Sequence, residues 1–318
     1  MADVTDCAFR QMIAAYGKPD VFWTEFVAAD GLAHPVAREK LLIDLKYGEN
    51  ERPIVAQIFG SKPDNIREAA KLCKELGFDG IDINMGCPDK SVEKQCAGAA
   101  MIKDPTLAKA VIRAAKEGAG DLPVSVKTRI GYNKNEIETW IRGLLSENIA
   151  ALTVHLRTRK EMSNVPAHWD YMKRIVEIRD EVSPDTLILG NGDVMNLDEA
   201  KQRVAETGCD GVMLGRAIFG NPWLFAEHSP LEFFVPEGLA SSPERPKEGA
   251  GAKNSEGRSE ALKERLGAMI EHTKIFEEML GQYKNFAIMK KHYKAYVNGF
   301  DGAKELRMKL MEAKMPDR

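Results

Sequence analysis

The chain has 318 residues, of which 44% are hydrophobic and 29% charged, and its formal net charge is −3 at pH 7. These values describe a globular protein that can bury a full core. No apolar run reaches the ~18 residues of a membrane span, and the N-terminus lacks the basic start and apolar centre of a signal peptide. We therefore expect no membrane association. Because the net charge is slightly negative, any nucleic-acid binding must rest on local basic clusters.

Cysteine usage restricts the chemistry further. The five cysteines are widely spread and include no Cys-x-x-Cys pair; they are Cys7, Cys73, Cys87, Cys96 and Cys209. An odd, scattered set argues for the reducing cytoplasm, and against disulfides or a structural zinc site. We therefore predict a cytoplasmic protein without a bound metal.

Short apolar runs alternate with amphipathic helices over most of the chain. A first helix, capped by Thr5 or Asp6, is predicted to end at Gly17. Strands are predicted at 21–24, 54–59, 80–84, 124–128, 151–155, 187–190 and 211–214, and helices at 63–76, 104–116, 136–147, 169–179 and 198–206. This alternation is typical of parallel strands joined by βα crossovers.

Seven predicted strands are one short of a closed (β/α)8 TIM barrel. The missing strand would be the first, because Met1 stands where a first βα loop is expected. Either the N-terminus is truncated or the first strand is absent. We favour truncation, since an open barrel would leave two exposed strand edges.

The pattern changes after the last predicted strand. Residues 236–259 are rich in Pro, Gly, Ala, Ser, Glu and Lys, which is typical of a linker, and the chain from 260 onward has helical periodicity. We predict a barrel domain at 1–230, a flexible linker at 231–259 and a small helical domain at 260–318.

One predicted strand ends in a cysteine on a rigid turn. Gly86 tolerates unusual backbone angles and Pro88 has no amide hydrogen, so the strand must stop around Cys87. In α/β enzymes the carboxyl ends of strands carry the chemistry. From this stretch alone, a buried cysteine in a tight turn is an equally good interpretation.

Three polar side chains break apolar runs at the carboxyl ends of successive strands. They are Gln57, Lys127 and His155. Such donors suit a large polar ring system over a barrel mouth, with Lys127 placing positive charge near an electron-rich heterocycle.

The last two predicted strands end in glycine-containing turns. They read Asn191-Gly192-Asp193 and Gly215-Arg216. Glycines let backbone N–H groups approach a phosphate, and Arg216 could neutralise it. Ordinary turn chemistry is the alternative.

These residues together resemble the tRNA-dihydrouridine synthases. The matching blocks are Met1–Asp6 with Phe9 and Arg10, Gln57–Gly60, Asp82–Pro88 followed by Gly98-Ala99-Ala100, Val126–Gly131, His155–Arg159, Asn191–Asp193 and Gly215-Arg216. The resemblance covers nearly all of residues 1–228, and its Asn-x-Gly-Cys-Pro element is highly specific.

The resemblance implies an FMN-bearing TIM barrel with a helical domain, which uses NADPH or NADH to reduce the 5,6 double bond of uridines in tRNA. Cys87 would be the general acid, and Asn84, Arg129, Arg157 and Arg159 would bind the substrate. The residues implied to hold FMN are Gln57, Lys127, His155, Asn191, Gly192, Asp193, Gly215 and Arg216, with Met1 and Ala2 contributing backbone contacts. The loop after His155 departs from the family pattern at Leu156, where a glycine is common, so the target uridine is left open.

The C-terminal region carries a local basic excess. Residues 284–318 contain nine Lys or Arg against four Asp or Glu. We predict that Lys290 and Lys291 contact tRNA and that Tyr293 and Tyr296 stack on unpaired bases. A solvated helix face is the alternative. We also expect a monomer.

Two other functions are compatible with the sequence. Another FMN barrel, a dihydroorotate or dihydropyrimidine dehydrogenase, would act on a small free pyrimidine and would need no basic helical appendage. A tRNA-binding protein that keeps the fold but has lost turnover is the second.

Overall fold

The computed structural model describes residues 1–226 and 255–313. Most of the linker predicted at 231–259 lies outside these residues. Its last five positions, 255–259, instead begin a helix.

The described residues form one parallel sheet of seven strands in sequential order. The strands are β1 (Phe22–Ala28), β2 (Ile54–Phe59), β3 (Gly80–Met85), β4 (Val124–Arg129), β5 (Ala151–His155), β6 (Leu187–Asn191) and β7 (Gly211–Val212). Each strand pairs in parallel with the next. Sequential parallel order with a crossover after each strand is the arrangement of the TIM-barrel type, which confirms the predicted fold class.

The helices fall close to the predicted positions. They are α1 (Cys7–Tyr16), α2 (Ala29–Ala33), α3 (Pro35–Leu41), α4 (Pro63–Glu75), α5 (Lys90–Glu93), α6 (Pro105–Ala119), α7 (Ile137–Leu145), α8 (Met172–Val182), α9 (Leu197–Thr207), α10 (Ser255–Leu280), α11 (Ala287–Tyr296) and α12 (Ala303–Glu312). Asp104 caps α6 by accepting from the N–H of Leu107 at 3.0 Å. The short helices α2, α3 and α5 were not predicted, because four to seven residues are too few to display a 3.6-residue period. None of the helices in 1–226 and 255–313 is long and apolar enough to cross a membrane.

Two strands differ in length from the prediction. β1 continues past Thr24 to Ala28, through Glu25, whose side chain is buried. A charged residue normally signals the end of a buried strand, and here it does not. β7 has only two residues, Gly211 and Val212, and gives way to loop before Gly215.

Strand β3 places polar side chains in the buried part of the sheet. All six of its residues are buried, with Ile81 and Ile83 alternating with Asp82 and Asn84. Asp82 lies beside Gln57 of β2, and Asn84 lies beside Lys127 of β4. Since the strands are parallel, their carboxyl ends meet at one edge, and the polar side chains predicted there come together.

The chain divides into two compact units. One comprises Asp20–Arg216 together with Met1, and the other comprises 2–19 and 217–318. Helix α1 therefore groups with the C-terminal helices, whereas we expected it within the barrel domain. The amphipathic pattern of α1 predicts a buried face but does not identify which helices cover it.

A cluster of aromatic and imidazole rings forms the core of the second unit. The rings of His272 and His292 are fully buried and lie 4.5 Å apart between centroids. Phe9 packs on both, at 5.4 and 5.1 Å. The Tyr296 hydroxyl donates to the sulfur of Met12 at 3.4 Å. Helix α1 thus supplies part of the apolar core into which the C-terminal helices fold.

Candidate active site

Cys87 lies on a turn that is fastened from two sides. Its N–H donates to Oδ1 of Asn84 at 2.9 Å, beside the N–H of Gly86 at 3.1 Å. Its carbonyl oxygen accepts from the N–H of Ala99 at 2.9 Å. The thiol is half-buried. Burial raises the pKa of the Cys87 thiol, so that it stays protonated at neutral pH.

The Gly98-Ala99-Ala100 element supports this turn. Gly98 has φ +59°, and a Cβ at this position would lie 2.7 Å from the carbonyl oxygen of Cys87. Both the backbone angle and the available space require glycine. The sequence block Asp82–Pro88, which contains the cysteine, and the block Gly98–Ala100 therefore pack against each other.

A buried hydrogen-bond chain runs back from the cysteine turn into the sheet. Nδ2 of Asn84 donates to Oε1 of Gln57 at 3.0 Å, and Nε2 of Gln57 donates to Oδ2 of Asp82 at 2.7 Å. The other oxygen of Asp82 accepts from the Ser125 hydroxyl at 2.6 Å. Burial raises the pKa of Asp82.

Our sequence-based site residues included Gln57 and Asn84 but neither Asp82 nor Ser125. The available signal was Asp82 itself, a carboxylate at an inward position of an otherwise buried strand.

Lys127 lies beside this chain and is joined to the end of β6. Its Nζ donates to Oδ1 of Asn191 at 3.2 Å, and Nδ2 of Asn191 donates to the carbonyl oxygen of Met213 at 2.8 Å. Burial, assisted by the charge of Arg129, lowers the pKa of Lys127 to about 8. The lysine is thus a partly buried donor with a single described side-chain partner.

The cationic character of the site is clearest at His155. Burial lowers the pKa of His155 to about 2, and the charges of four cations add to the effect. These cations are Lys127, Arg129, Arg157 and Arg216. The imidazole is therefore neutral, and the cluster around it is suited to an anionic ligand.

Asp193 links two of these cations at the end of β6. It pairs with Arg157, and its Oδ1 accepts from Arg216 at 2.7 Å. The N–H of Ala167 also donates to it at 2.8 Å. Burial favours a higher pKa, but the hydrogen bonds from Arg157 and Ala167 outweigh it and hold the pKa of Asp193 below its usual value. The side chain of Asp193 therefore serves to orient arginines.

The strand-end turns fit the phosphate and ring of FMN, which the resemblance implies. A Cβ on Gly215 would meet no atom within 4 Å, so this backbone borders open space beside Arg216. Gly192 has φ +132°, an angle that side chains rarely adopt. The backbone at Gly215, the adjacent Arg216 and the partly buried Lys127 form the donor set that a phosphorylated heterocycle requires.

The three arginines predicted to bind substrate all have protein partners. Nε of Arg129 donates to the carbonyl oxygen of Gly86 at 2.8 Å, which ties it to the cysteine turn. Arg159 pairs with Glu93. The side chain of Arg157 is only 2% exposed and is held by Asp193 and by the carbonyl of Val165. Arg157 thus differs from the expectation, because burial leaves it little surface for a substrate.

The residues predicted to contact RNA are only partly available. Nζ of Lys291 lies 3.2 Å from Asp3, and Nζ of Lys290 donates to the carbonyl of Met311 at 2.6 Å. Tyr293 and Tyr296 are buried, so they cannot stack on bases as predicted. Their spacing follows the apolar face of α11, and aromatic residues at that spacing fill the core.

The contacts predicted for Met1 and Ala2 stay predictions. Both residues are exposed at the start of the chain. The other predicted cofactor residues lie at or just after the carboxyl ends of strands of the first unit: Gln57, Lys127, His155, Asn191, Gly192, Asp193, Gly215 and Arg216.

A comparison with protein families decides the assignment. The family model described as "Dihydrouridine synthase (Dus)" matches residues 1–318. The chain belongs to the dihydrouridine synthase family. This dihydrouridine synthase is 40% identical over 318 residues to "Probable tRNA-dihydrouridine synthase 2" of Bacillus subtilis (strain 168), covering 100% of the chain and 89% of the relative. It is 38% identical over 313 residues to "Probable tRNA-dihydrouridine synthase" of Staphylococcus epidermidis (strain ATCC 35984 / DSM 28319 / BCRC 17069 / CCUG 31568 / BM 3577 / RP62A), covering 98% and 87%.

The chain also has a weak likeness to a solved structure. Morphinone reductase in complex with tetrahydroNAD superposes with a TM-score of 0.47 at 13% identity, covering 70% of this chain and 81% of the reductase. A TM-score of 0.47 is too low to support a conclusion about this chain.

Proposed function

We propose that this protein is an FMN-dependent oxidoreductase that reduces the 5,6 double bond of uridines in tRNA with NAD(P)H. One observation carries the proposal. In a chain of this family, Cys87 carries a half-buried thiol, and its backbone is held by Asn84 and Ala99 on a turn at the same strand edge as a cluster of cations. Reduction of a pyrimidine ring requires a proton donor and a bound hydride-donating cofactor. A protonated thiol beside an anion-binding cluster can provide the first and hold the second.

FMN would be held by the strand-end residues of the first unit. Arg216 and the open backbone at Gly215 suit its phosphate, while Lys127, Gln57 and His155 suit its ring system. When bound and reduced by NAD(P)H, FMN supplies a hydride for C6 of the uracil ring. Asn191 positions Lys127, and Asp193 positions Arg216.

The protein supplies the proton that completes the reduction. Once C6 has accepted a hydride, C5 is carbanion-like and takes a proton from the Cys87 thiol. Burial keeps that thiol in its acid form at neutral pH. Asn84 and Arg129, both bonded to the turn that carries Cys87, would orient the uracil. The target base must leave its stack to reach these groups.

The second unit would hold the tRNA backbone. Lys291 and Lys294 are exposed on α11, and Lys290 is partly exposed beside them. Ion pairing between Lys291 and Asp3 is weak at an exposed site, so a phosphate can replace it. RNA recognition then depends on charge, because the tyrosines of this helix are buried.

We further propose that the enzyme acts in the cytoplasm as a monomer. All five cysteines are free, which suits a reducing compartment. Light scattering should give a mass near the 35.3 kDa of one chain.

The deciding experiment combines a spectrum with nucleoside analysis. The purified protein should show flavin absorbance and, with NADPH and unmodified tRNA, should form dihydrouridine detected by liquid chromatography. Free uracil and orotate serve as comparison substrates, because a small-pyrimidine dehydrogenase supplied with NADPH would reduce them. Dihydrouridine formation without turnover of either free pyrimidine supports the proposal. A flavin-loaded protein that leaves tRNA unchanged would refute it.

A further inference from the structure

We propose that Asp82 is a positioning residue for this reaction, because its carboxylate terminates a directed hydrogen-bond relay that fixes Gln57, Asn84 and the Cys87 turn together. The inference concerns the protein alone, and its meaning for catalysis rests on the proposed function. Neither the family assignment nor the names of the relatives assigns a role to Asp82.

The relay is continuous and shielded from water. It runs from the N–H groups of Gly86 and Cys87 to Asn84, then to Gln57, and ends at Asp82. All links are between 2.7 and 3.1 Å. The carboxyl group of Asp82 is fully buried, and Gln57 and Asn84 are almost fully buried. A buried polar group that loses its partner keeps its full desolvation penalty, so each member holds the next in place.

The direction of the relay follows from the fixed donors at one end. Backbone N–H groups only donate, so the amide oxygen of Asn84 must face the cysteine turn. Its amide nitrogen then faces Gln57 and requires the oxygen of that amide. The amide nitrogen of Gln57 is left facing position 82 and requires an acceptor there.

A carboxylate at position 82 meets this requirement, because each of its two oxygens can accept a hydrogen bond. When ionised it offers acceptors only, and its second oxygen takes the hydroxyl of Ser125. Asparagine at position 82 could do the same, because its oxygen can face Gln57 while its nitrogen faces Ser125, which can donate onward to the carbonyl of Ile81. Leucine has the same number of side-chain heavy atoms in the same branched arrangement and offers no acceptor.

The relay joins groups assigned to different tasks. Gln57 lies in the cofactor set, Asn84 in the substrate set, and Cys87 is the acid. If the acceptor at position 82 is lost, Gln57 gains no partner by rotating its amide, because rotation removes the acceptor that Asn84 needs. The disturbance therefore reaches the cysteine turn, two links away.

Alkylation of Cys87 tests the relay without any turnover. The flavin-loaded protein is treated with iodoacetamide, and each cysteine is followed by peptide mass spectrometry. Exposed Cys96 is the internal reference. We expect the rate at Cys87, relative to Cys96, to change by about fivefold or more in Asp82→Leu, since thiol reactivity follows access and pKa. The rate should stay near wild type in Asp82→Asn. Ser125→Ala, which removes a donor outside the relay, should also leave the rate unchanged.

Two results would overturn the proposal. One is an unchanged Cys87 rate in Asp82→Leu. The other is an Asp82→Asn protein that behaves like Asp82→Leu, because the relay requires the acceptor and not the charge. If Asp82→Leu does not fold, hydrogen exchange of side-chain amides in wild-type protein labelled with ¹⁵N-glutamine decides. The Gln57 amide should exchange far more slowly than that of exposed Gln282, and equal rates would refute the relay.

The kinetic consequence separates this proposal from the proposed function. In Asp82→Leu we expect kcat for dihydrouridine formation to fall while KM for tRNA is kept. If wild-type protein forms no dihydrouridine yet gives the expected alkylation pattern, the relay stands and the proposed function fails.

Discussion

The N–H of Ala99 donates to the carbonyl oxygen of Cys87 at 2.9 Å, although helix α5 separates the two residues in the chain. Gly98, which precedes Ala99, has a left-handed backbone and lies close to the same carbonyl oxygen. The turn that carries Cys87 is thus held in place by backbone contacts of the segment at Gly98 and Ala99.

Gly98→Ala should therefore damage the enzyme through its backbone. A Cβ would lie 2.7 Å from the Cys87 oxygen, in addition to the strain of φ +59°. We expect about 2–4 kcal/mol of destabilisation and a large loss of turnover. Gly302→Ala is the matched control, with φ +82° and no atom within 4 Å of its Cβ, and should lose about 1 kcal/mol. Urea unfolding of both variants measures the difference, and equal losses would show that the close approach is irrelevant.

Cys87→Ala should retain FMN and its reduction by NADPH while losing dihydrouridine formation by about 10²-fold or more. The reason is the loss of the proton donor. Single-turnover reduction of tRNA measures it, with Cys96→Ala as the control in which activity is retained.

The pH profile of the wild-type enzyme should agree. Burial raises the pKa of Cys87, so the acid form persists through neutral pH and is lost only as the pH rises through this raised value. A rate that climbs as the thiol ionises would contradict the assignment.

Lys291→Glu should weaken tRNA binding and reduce its salt dependence. Each lost phosphate contact lowers the slope of log K against log salt by about 0.7–0.9. The broken pair with Asp3 is exposed and adds little. Lys71→Glu, an equal charge change at an exposed position of α4, is the control. The same slope in both variants would remove α11 from the RNA interface.

The buried histidine pair should make the second unit sensitive to acid. The ring nitrogens of His272 and His292 have no hydrogen-bond partner among the described residues. Burial, with a contribution from the charge of Lys291, lowers the pKa of His292 to about 4. The unfolded chain titrates near 6.5, so this stability is complete above pH 6.5 and is lost as the pH falls toward 4.

We expect His292 to account for about 2 kcal/mol of lost stability by pH 5. His292→Phe should reduce the shift of the urea midpoint between pH 7 and pH 5. His34→Gln, at an exposed histidine of the barrel unit, should leave the shift unchanged. An identical shift in His292→Phe and wild type would show that the pair does not titrate on unfolding.

Much of the barrel could be predicted because its signals are local. Pro63 and Pro105 begin helices as expected, and apolar runs such as Ile54–Phe59 form strands because β-branched residues favour them. The same spacing brought Lys127 and His155 to one edge, since parallel strands align their carboxyl ends.

The remainder depends on partners that are distant in the sequence. Arg157 pairs with Asp193, which is 36 residues away, and Arg159 pairs with Glu93, which is 66 residues away. No local sequence pattern predicts either pair. Tyr296 illustrates the same limit, because a tyrosine in a basic stretch predicts a surface role until its neighbours are known. Its side chain is fully buried, and its hydroxyl bonds Met12 across 284 positions.

Helix α1 has a consequence for how the protein is made. It occupies residues 7–16, whereas the helices that cover it begin at residue 255. During synthesis the barrel strands emerge in order, at about 5–20 residues per second, while α1 has no docking partner for roughly the time needed to translate 240 residues. The second unit can close only when both ends of the chain are present. A nascent chain halted after residue 216 should therefore expose Phe9 and Met12 to chaperones, whereas release of the complete chain hides them.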